Sequence, residues 1–214
     1  MMIKPYLYES PKSKVDAERA VFVLPEIYGL NDFSRTVADR AAETFGVVGV
    51  ALDHFYAVTN ESSSNLTYQD HEQGSAIAGQ MTGEAYLRLL DEAITEVQAK
   101  HPSVKYVTII GFCFGGKLAY LSGVDKRVDR IVAFYGGGST QPDFYKGESS
   151  INALAAARHG DLGLKVLAIW GEQDDFIPES DRQAIHEALT AVDIPVQSRT
   201  YPAGHAFFNH DRAD

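Results

Sequence analysis

The only cysteine of the chain sits in "GFCFGG", Gly111 to Gly116. Glycines two positions to either side of Cys113 permit a turn that bulkier residues would obstruct. The apolar run "VKYVTII" (104–110) precedes it and the helix-like "GGKLAYLS" follows. In that strand–turn–helix setting, a Gly-x-nucleophile-x-Gly turn lifts its nucleophile above a sheet. A thiol so placed faces a helix N-terminus, whose partial positive charge is expected to favour thiolate and lower the thiol pKa. The amide of Phe114 would then point at an oxyanion developing on a substrate carbonyl. The competing reading is a small buried apolar residue, which is what a lone free cysteine commonly is.

A nucleophile of this kind needs a base, and the chain has seven histidines. His205, in "YPAGHAFF", directly follows the last strand-like run, where a loop returns to the carboxyl edge of a sheet. His101 precedes a proline and His186 lies in a helical stretch, so neither is well placed. His54, His71, His159 and His210 fall in connections and stay open by position. An imidazole base in turn needs a carboxylate to hold its tautomer. "IWGEQDDFIP" supplies Glu172, Asp174 and Asp175 just past another strand, and spacing leaves Asp174 and Asp175 equivalent. The order nucleophile, acid, histidine is that of α/β-hydrolases. Glu26 falls at the same edge, just after "AVFVL". A carboxylate there could accept the thiol proton or tune its acidity, unless it is simply a solvated loop residue.

The elements that must position these groups are legible in the pattern. Strand-like runs cover 20–24, 47–52, 104–110, 130–135, 165–170 and 195–201. The middle ones are apolar throughout, as strands covered on both faces are. Phe33, Val37, Ala41 and Phe45 recur every four residues and Gly46 follows as a stop. Tyr86, Leu90, Ala93, Ile94 and Val97 form a second apolar stripe, and Ala184, Ile185, Ala188 and Leu189 a third. Such alternation implies an α/β fold: a mainly parallel central sheet with helices on both faces, here one domain over 1–214. Two connections are long: 53–80, polar and including "ESSSN", and 136–163, with "GGGST" and a short helix expected near 153–158. Lids and binding loops often take this form.

Composition narrows the function. The net charge of −10 argues against general nucleic-acid binding, and no apolar run is long enough for a membrane span. "MMIKPYLYES" lacks a secretory apolar stretch, and one cysteine makes no internal disulfide, so a cytoplasmic setting is expected. The histidines show no paired metal-ligand spacing, and no phosphate-loop or dinucleotide fingerprint occurs, so neither metal nor cofactor is expected.

With these motifs in place, the sequence resembles the dienelactone hydrolase family, the cysteine-dependent branch of the α/β-hydrolases. The likeness runs from Val21 to Phe207 through "LPEIYGLNDFSR", "GFCFGG", "GEQDDFIP" and "AGHAF". It implies a hydrolase acting on a carboxylic ester or lactone, with Cys113 as nucleophile, His205 as base and Asp174, rather than Asp175, as acid. Glu26 matches a glutamate that holds the resting thiol and gives way when substrate binds. The amides of Ile27 and Phe114 would form the oxyanion hole, and Tyr135, Phe207 and Asn209 would contact substrate.

Two departures from the family qualify the resemblance. Members that act on dienelactone hold its carboxylate with arginines. One comes from the loop before the second helix and one lies four residues after the histidine. From Ala41 through Leu87 there is no Lys or Arg, and the second position is Asn209. Arginine's charged fork has no equivalent in asparagine, so a less anionic ester or lactone is expected. Secondly, the tail "HDRAD" shows no apolar stripe where a closing helix is expected. An apolar sheet face would then be left for a second subunit to cover, making the protein a monomer or a homodimer. The rival readings are a glutamine amidotransferase-like Cys-elbow enzyme, which lacks "GEQDDFIP" before a terminal "GH" turn, and a family member retained for ligand binding.

Overall fold

The computed structural model describes residues 4–142 and 144–212. Seven strands form one sheet in the order β1-β3-β2-β4-β5-β6-β7. They are β1 (Leu7–Glu9), β2 (Arg19–Leu24), β3 (Val48–Leu52), β4 (Tyr106–Phe112), β5 (Val128–Phe134), β6 (Lys165–Gly171) and β7 (Val196–Tyr201). All neighbours pair in parallel except β1, which runs antiparallel to β3 at the edge. The sequence pattern misses β1 because three residues are too short to show a period.

Apolar runs become central strands because both their faces must be covered. Phe22, Val23, Leu24, Val107 and Ile109 are all fully buried. Fully burying such a side chain is worth about 1.5–3 kcal/mol. The parallel register places Leu24 beside Gly111 and Phe112 beside Phe134. The carboxyl ends of β2, β4 and β5 therefore meet at one edge, where sites form in open α/β sheets.

Helices α1 (Asp32–Phe45), α2 (Tyr56–Thr59), α3 (His71–Gln80), α4 (Gly83–Lys100), α5 (Phe114–Ser122), α6 (Ser150–Ala157) and α7 (Glu179–Thr190) cover the sheet. Helix α1 is capped by Asn31, whose side chain accepts from the Ser34 amide, and ends at the left-handed Gly46. Its buried face is Phe33, Ser34, Ala38, Ala41 and Ala42, whereas Phe45 is 73% exposed. This corrects the four-residue stripe. A spacing of four advances about 400°, so the row drifts about 40° per step and Phe45 ends about 120° around from Phe33. In α4 the expected stripe is fully interior, while α7 buries only Ile185 and Leu189 of its four.

The 53–80 connection is not the open polar loop that its composition suggests. It folds into α2 and α3 and is tied down by Asp53, which accepts from the Ser63 amide and hydroxyl, both at 2.6 Å. The Ser63 hydroxyl oxygen also accepts from the Leu30 amide, so the connection packs on the turn after β2. Beyond β7, Phe208 stacks on Phe112 at 5.7 Å and packs, tilted, on Phe134 at 4.6 Å between ring centroids. The chain then makes a 3-10 turn over His210–Arg212. No helix among the described residues is long and apolar enough to cross a membrane.

One core residue predicts acid sensitivity. His54 is fully buried, neither ring nitrogen has a hydrogen-bond partner, and the ring packs on Phe55 and Phe114. Burial pushes its pKa down from 6.5 to about 3. The unfolded chain therefore binds a proton that the fold refuses, and stability falls as pH drops below about 6.5. Between pH 7 and pH 5 this costs about 2 kcal/mol. Thermal unfolding at both pH values should show His54→Leu gaining on the natural protein at pH 5. An equal difference in Tm at the two pH values would contradict this origin.

Candidate active site

The elbow works because three chain segments approach without side chains between them. A Cβ on Gly111 would lie 2.0 Å from the Gly115 carbonyl oxygen, and one on Gly115 would lie 2.4 Å from the carbonyl oxygens of Leu24 and Pro25. Only glycine allows α5 to start this close to β2 and β4. Cys113 itself is held at φ 52°, ψ −116°, outside the ordinary regions for a residue with a side chain. Tyr135 (φ 39°) and Ala206 (φ 59°) are strained in the same sense. All three lie at the same sheet edge, where strain of this kind concentrates at functional sites.

Around the elbow the structure gathers residues from four other connections. His205, after β7, places Nδ1 2.8 Å from Asp174 Oδ2 and Nε2 3.3 Å from Cys113 Sγ. With the Nδ1 proton donated to the carboxylate, the Nε2 lone pair faces the thiol. Asp174 is 5% exposed, and its other oxygen accepts from the Phe176 amide at 3.0 Å. Asp175 and Glu172 are exposed to solvent. The amide of Phe114 is directed at the Cys113 sulfur. Ile27 lines the same cleft, and α3 packs directly on its backbone: a Cβ on Gly74 would lie 2.0 Å from the Ile27 carbonyl oxygen.

Glu26 is 1% exposed and is turned to Asn209 rather than to the thiol. Its Oε2 accepts from Asn209 Nδ2 at 2.9 Å and lies 3.7 Å from Arg212 Nη1. Burial pushes its pKa up, against the opposing effects of Asn209, Arg212 and His205. The thiol departs from expectation in the same direction. Burial, followed by the nearby Glu26 charge, raises the Cys113 pKa to about 12, and the Phe114 amide and Arg212 offset this only in part. Cys113 is half-buried as a residue, yet desolvation of its sulfur outweighs the helix N-terminus.

Three residues expected to contact substrate do not line the cleft. Tyr135 is fully buried beside Glu26, its ring against His205 and Phe207. Phe207 packs between Tyr135 and Tyr201. Asn209 is 2% exposed and bonds Glu26 and Tyr68. Phe207 and Asn209 follow the left-handed, buried Ala206 in the loop after β7, and Tyr135 follows β5 at a left-handed position of its own; none of the three is among the residues that line the cleft.

The cleft, about 310 Å³, has apolar walls of Ile27, Phe114, Phe176 and Ile177, with His71 and Arg212 at its polar side. Phe176 is 79% exposed, its ring 5.2 Å from that of His205. Of these, Phe176 and Ile177 sit inside the "GEQDDFIP" motif and were within reach of sequence reasoning. No motif points to Arg212, which stands three residues beyond Asn209 in the tail. The guanidinium also lies 5.2 Å from the Tyr28 ring centroid. No cluster of three metal-ligating side chains occurs among the described residues.

A mostly parallel α/β sheet with a strained Cys elbow, an imidazole and a buried aspartate defines an α/β-hydrolase-fold protein. The chain belongs to the dienelactone hydrolase family, which it matches over residues 3–214. It is 31% identical over 196 residues to a Synechocystis protein named "Putative carboxymethylenebutenolidase", covering 90% of this chain and 77% of that one. It is 29% identical over 191 residues to the carboxymethylenebutenolidase of Pseudomonas putida, covering 87% and 74%. Among solved structures, the "Putative Dienelactone Hydrolase" of Klebsiella pneumoniae shares the fold. Its TM-score is 0.80 at 22% identity, over 97% of this chain and 84% of that one.

Proposed function

We propose that this protein hydrolyses a carboxylic ester or lactone through a thioester on Cys113. The observation that carries the reading is His205, bonded to Asp174 by one ring nitrogen and facing the Cys113 sulfur with the other. Nε2 takes the thiol proton as the sulfur attacks the carbonyl carbon, and Asp174 stabilises the imidazolium formed. With the thiol held near pKa 12, this proton transfer accompanies attack rather than preceding it. The carbonyl oxygen gains its charge beside the Phe114 and Ile27 amides. As the tetrahedral adduct collapses, the C–O bond breaks and the alkoxide leaves with the proton from His205. Water then adds to the thioester with His205 as base, the C–S bond breaks, and acid product and thiol are released.

The cleft suits a small, weakly charged substrate. Its one guanidinium, Arg212, is already 3.7 Å from Glu26, so its charge is partly matched. The stretch from Ala41 through Leu87 contributes His71 to the lining but no Lys or Arg. A carboxylate on the substrate would meet a guanidinium already paired with the buried Glu26. We therefore expect kcat/KM for one lactone with and without a carboxylate to agree within about tenfold, a difference of about 1.4 kcal/mol in transition-state binding. A preference of several hundredfold for the carboxylated form would overturn the specificity. Absence of hydrolysis of either form, together with no thioester on Cys113 by mass spectrometry after mixing with p-nitrophenyl acetate, would overturn the activity.

A further inference from the structure

Asn209 occupies the position at which an arginine for substrate was expected, yet it turns away from the cleft. Its Nδ2 donates to Glu26 Oε2 at 2.9 Å and also contacts the Tyr68 hydroxyl at 3.0 Å. Its Oδ1 accepts from the Asp211 amide at 3.2 Å and lies 3.4 Å from the Tyr68 hydroxyl. The Tyr68 hydroxyl accepts in turn from Asn31 Nδ2 at 3.3 Å, and Asn31 is the residue that caps α1. The Tyr68 ring packs edge-on against Tyr28, two residues from Glu26. A continuous polar chain thus runs from the start of α1, through the 53–80 connection, to the buried carboxylate beside Cys113.

We propose that Asn209, oriented by Tyr68, is a positioning residue that clamps Glu26 with an uncharged donor, keeping its carboxylate ionised and directed away from the Cys113 sulfur. The inference rests on the reading of Cys113 as nucleophile. A neutral amide at 2.9 Å holds the buried carboxylate without cancelling its charge, whereas Arg212, farther off at 3.7 Å, offsets it only in part. Glu26 then keeps its like-charge effect on the thiol, and the resting enzyme holds Cys113 as an unreactive thiol. Titratable groups face Glu26 from six segments of the chain. Arg212 comes from the tail, His205 from the β7 loop, Tyr135 from the β5 end, Cys113 from the elbow, Tyr28 from its own turn and Tyr68 from the 53–80 connection. Asn209 is the neutral side chain that donates to Glu26 Oε2, and the Tyr135 hydroxyl also bears on the carboxylate.

The test is the rate of Cys113 alkylation by iodoacetamide across pH 6 to 9.5, which needs no substrate turnover. Without its clamp the buried carboxylate takes up a proton more readily, and its repulsion of the thiolate is relieved. Asn209→Leu should therefore alkylate about three- to tenfold faster near pH 8, approaching Glu26→Gln, within the effect of about one pKa unit. Tyr68→Phe, which disturbs the core less, should move the profile in the same sense by a smaller factor. In a Glu26→Gln background both substitutions should be silent. A role confined to packing would still alter alkylation in that background, and this result would overturn the inference, as would an unchanged or slower rate in Asn209→Leu. The outcome is independent of ester hydrolysis: alkylation can show the coupling even if no ester is cleaved, and hydrolysis can proceed with the coupling absent.

Discussion

Cys113→Ala is expected to lower kcat/KM for any hydrolysed ester or lactone by at least about 10⁴-fold, as removal of a nucleophile does elsewhere. The elbow offers no substitute: among the described residues, the sulfur is the side-chain nucleophile that His205 Nε2 faces, at 3.3 Å. Because the two groups act as one unit, His205→Ala should cost a similar factor. The double variant should be no worse than either single one. Steady-state kinetics on a short p-nitrophenyl ester would check this, with circular dichroism to establish that the fold persists. Additive losses, or a Cys113→Ala enzyme within tenfold of the parent, would mean that the chemistry lies elsewhere.

Asp174→Asn should cost about 10³- to 10⁴-fold in kcat while leaving KM within a few-fold. The carboxylate is buried and accepts from His205 Nδ1 at 2.8 Å. An asparagine in the same place can present its amide N–H to Nδ1, which drives the ring proton onto Nε2. That nitrogen then cannot accept the thiol proton. The bond from the Phe176 amide to the other oxygen survives the change, so the loop should hold its shape. Asp175→Asn is the matched control. Its side chain is exposed, and its kcat should stay within about threefold of the parent, as surface substitutions commonly are nearly neutral. Comparable losses in the two variants would show that the negative charge of the loop matters rather than the bond to His205.

Much of this site is legible in the order of residues along the chain. "GFCFGG", "GEQDDFIP" and "AGHAF" each follow a strand-like run, and a parallel sheet brings such ends to one edge. Local chemistry also singles out Cys113, His205 and two candidate acids, although choosing Asp174 over Asp175 takes a family resemblance. In the structure only Asp174 faces inward. The central strands are legible because burial on both faces leaves an unbroken apolar signature. The edge strand β1, the helices of the 53–80 connection and the true face of α1 are not, since short or drifting patterns carry little periodicity.

By itself, the sequence determined the order of the six parallel strands and the longer helices between them, and the residue types at the elbow and its two partner loops. These follow from local backbone rules and from the few side chains able to act as nucleophile, base or acid. Only the tertiary structure decided that Asn209 bonds both Glu26 and Tyr68, that Arg212 reaches the cleft, and that Tyr135 and Phe207 pack on each other outside its lining. It also reversed the expected acidity of Cys113. The helix N-terminus acts locally and can be read from the chain, whereas desolvation and the Glu26 charge depend on what packs around the sulfur from distant segments. Such contacts are set by how loops fold back over the sheet edge, and no spacing along the chain encodes them.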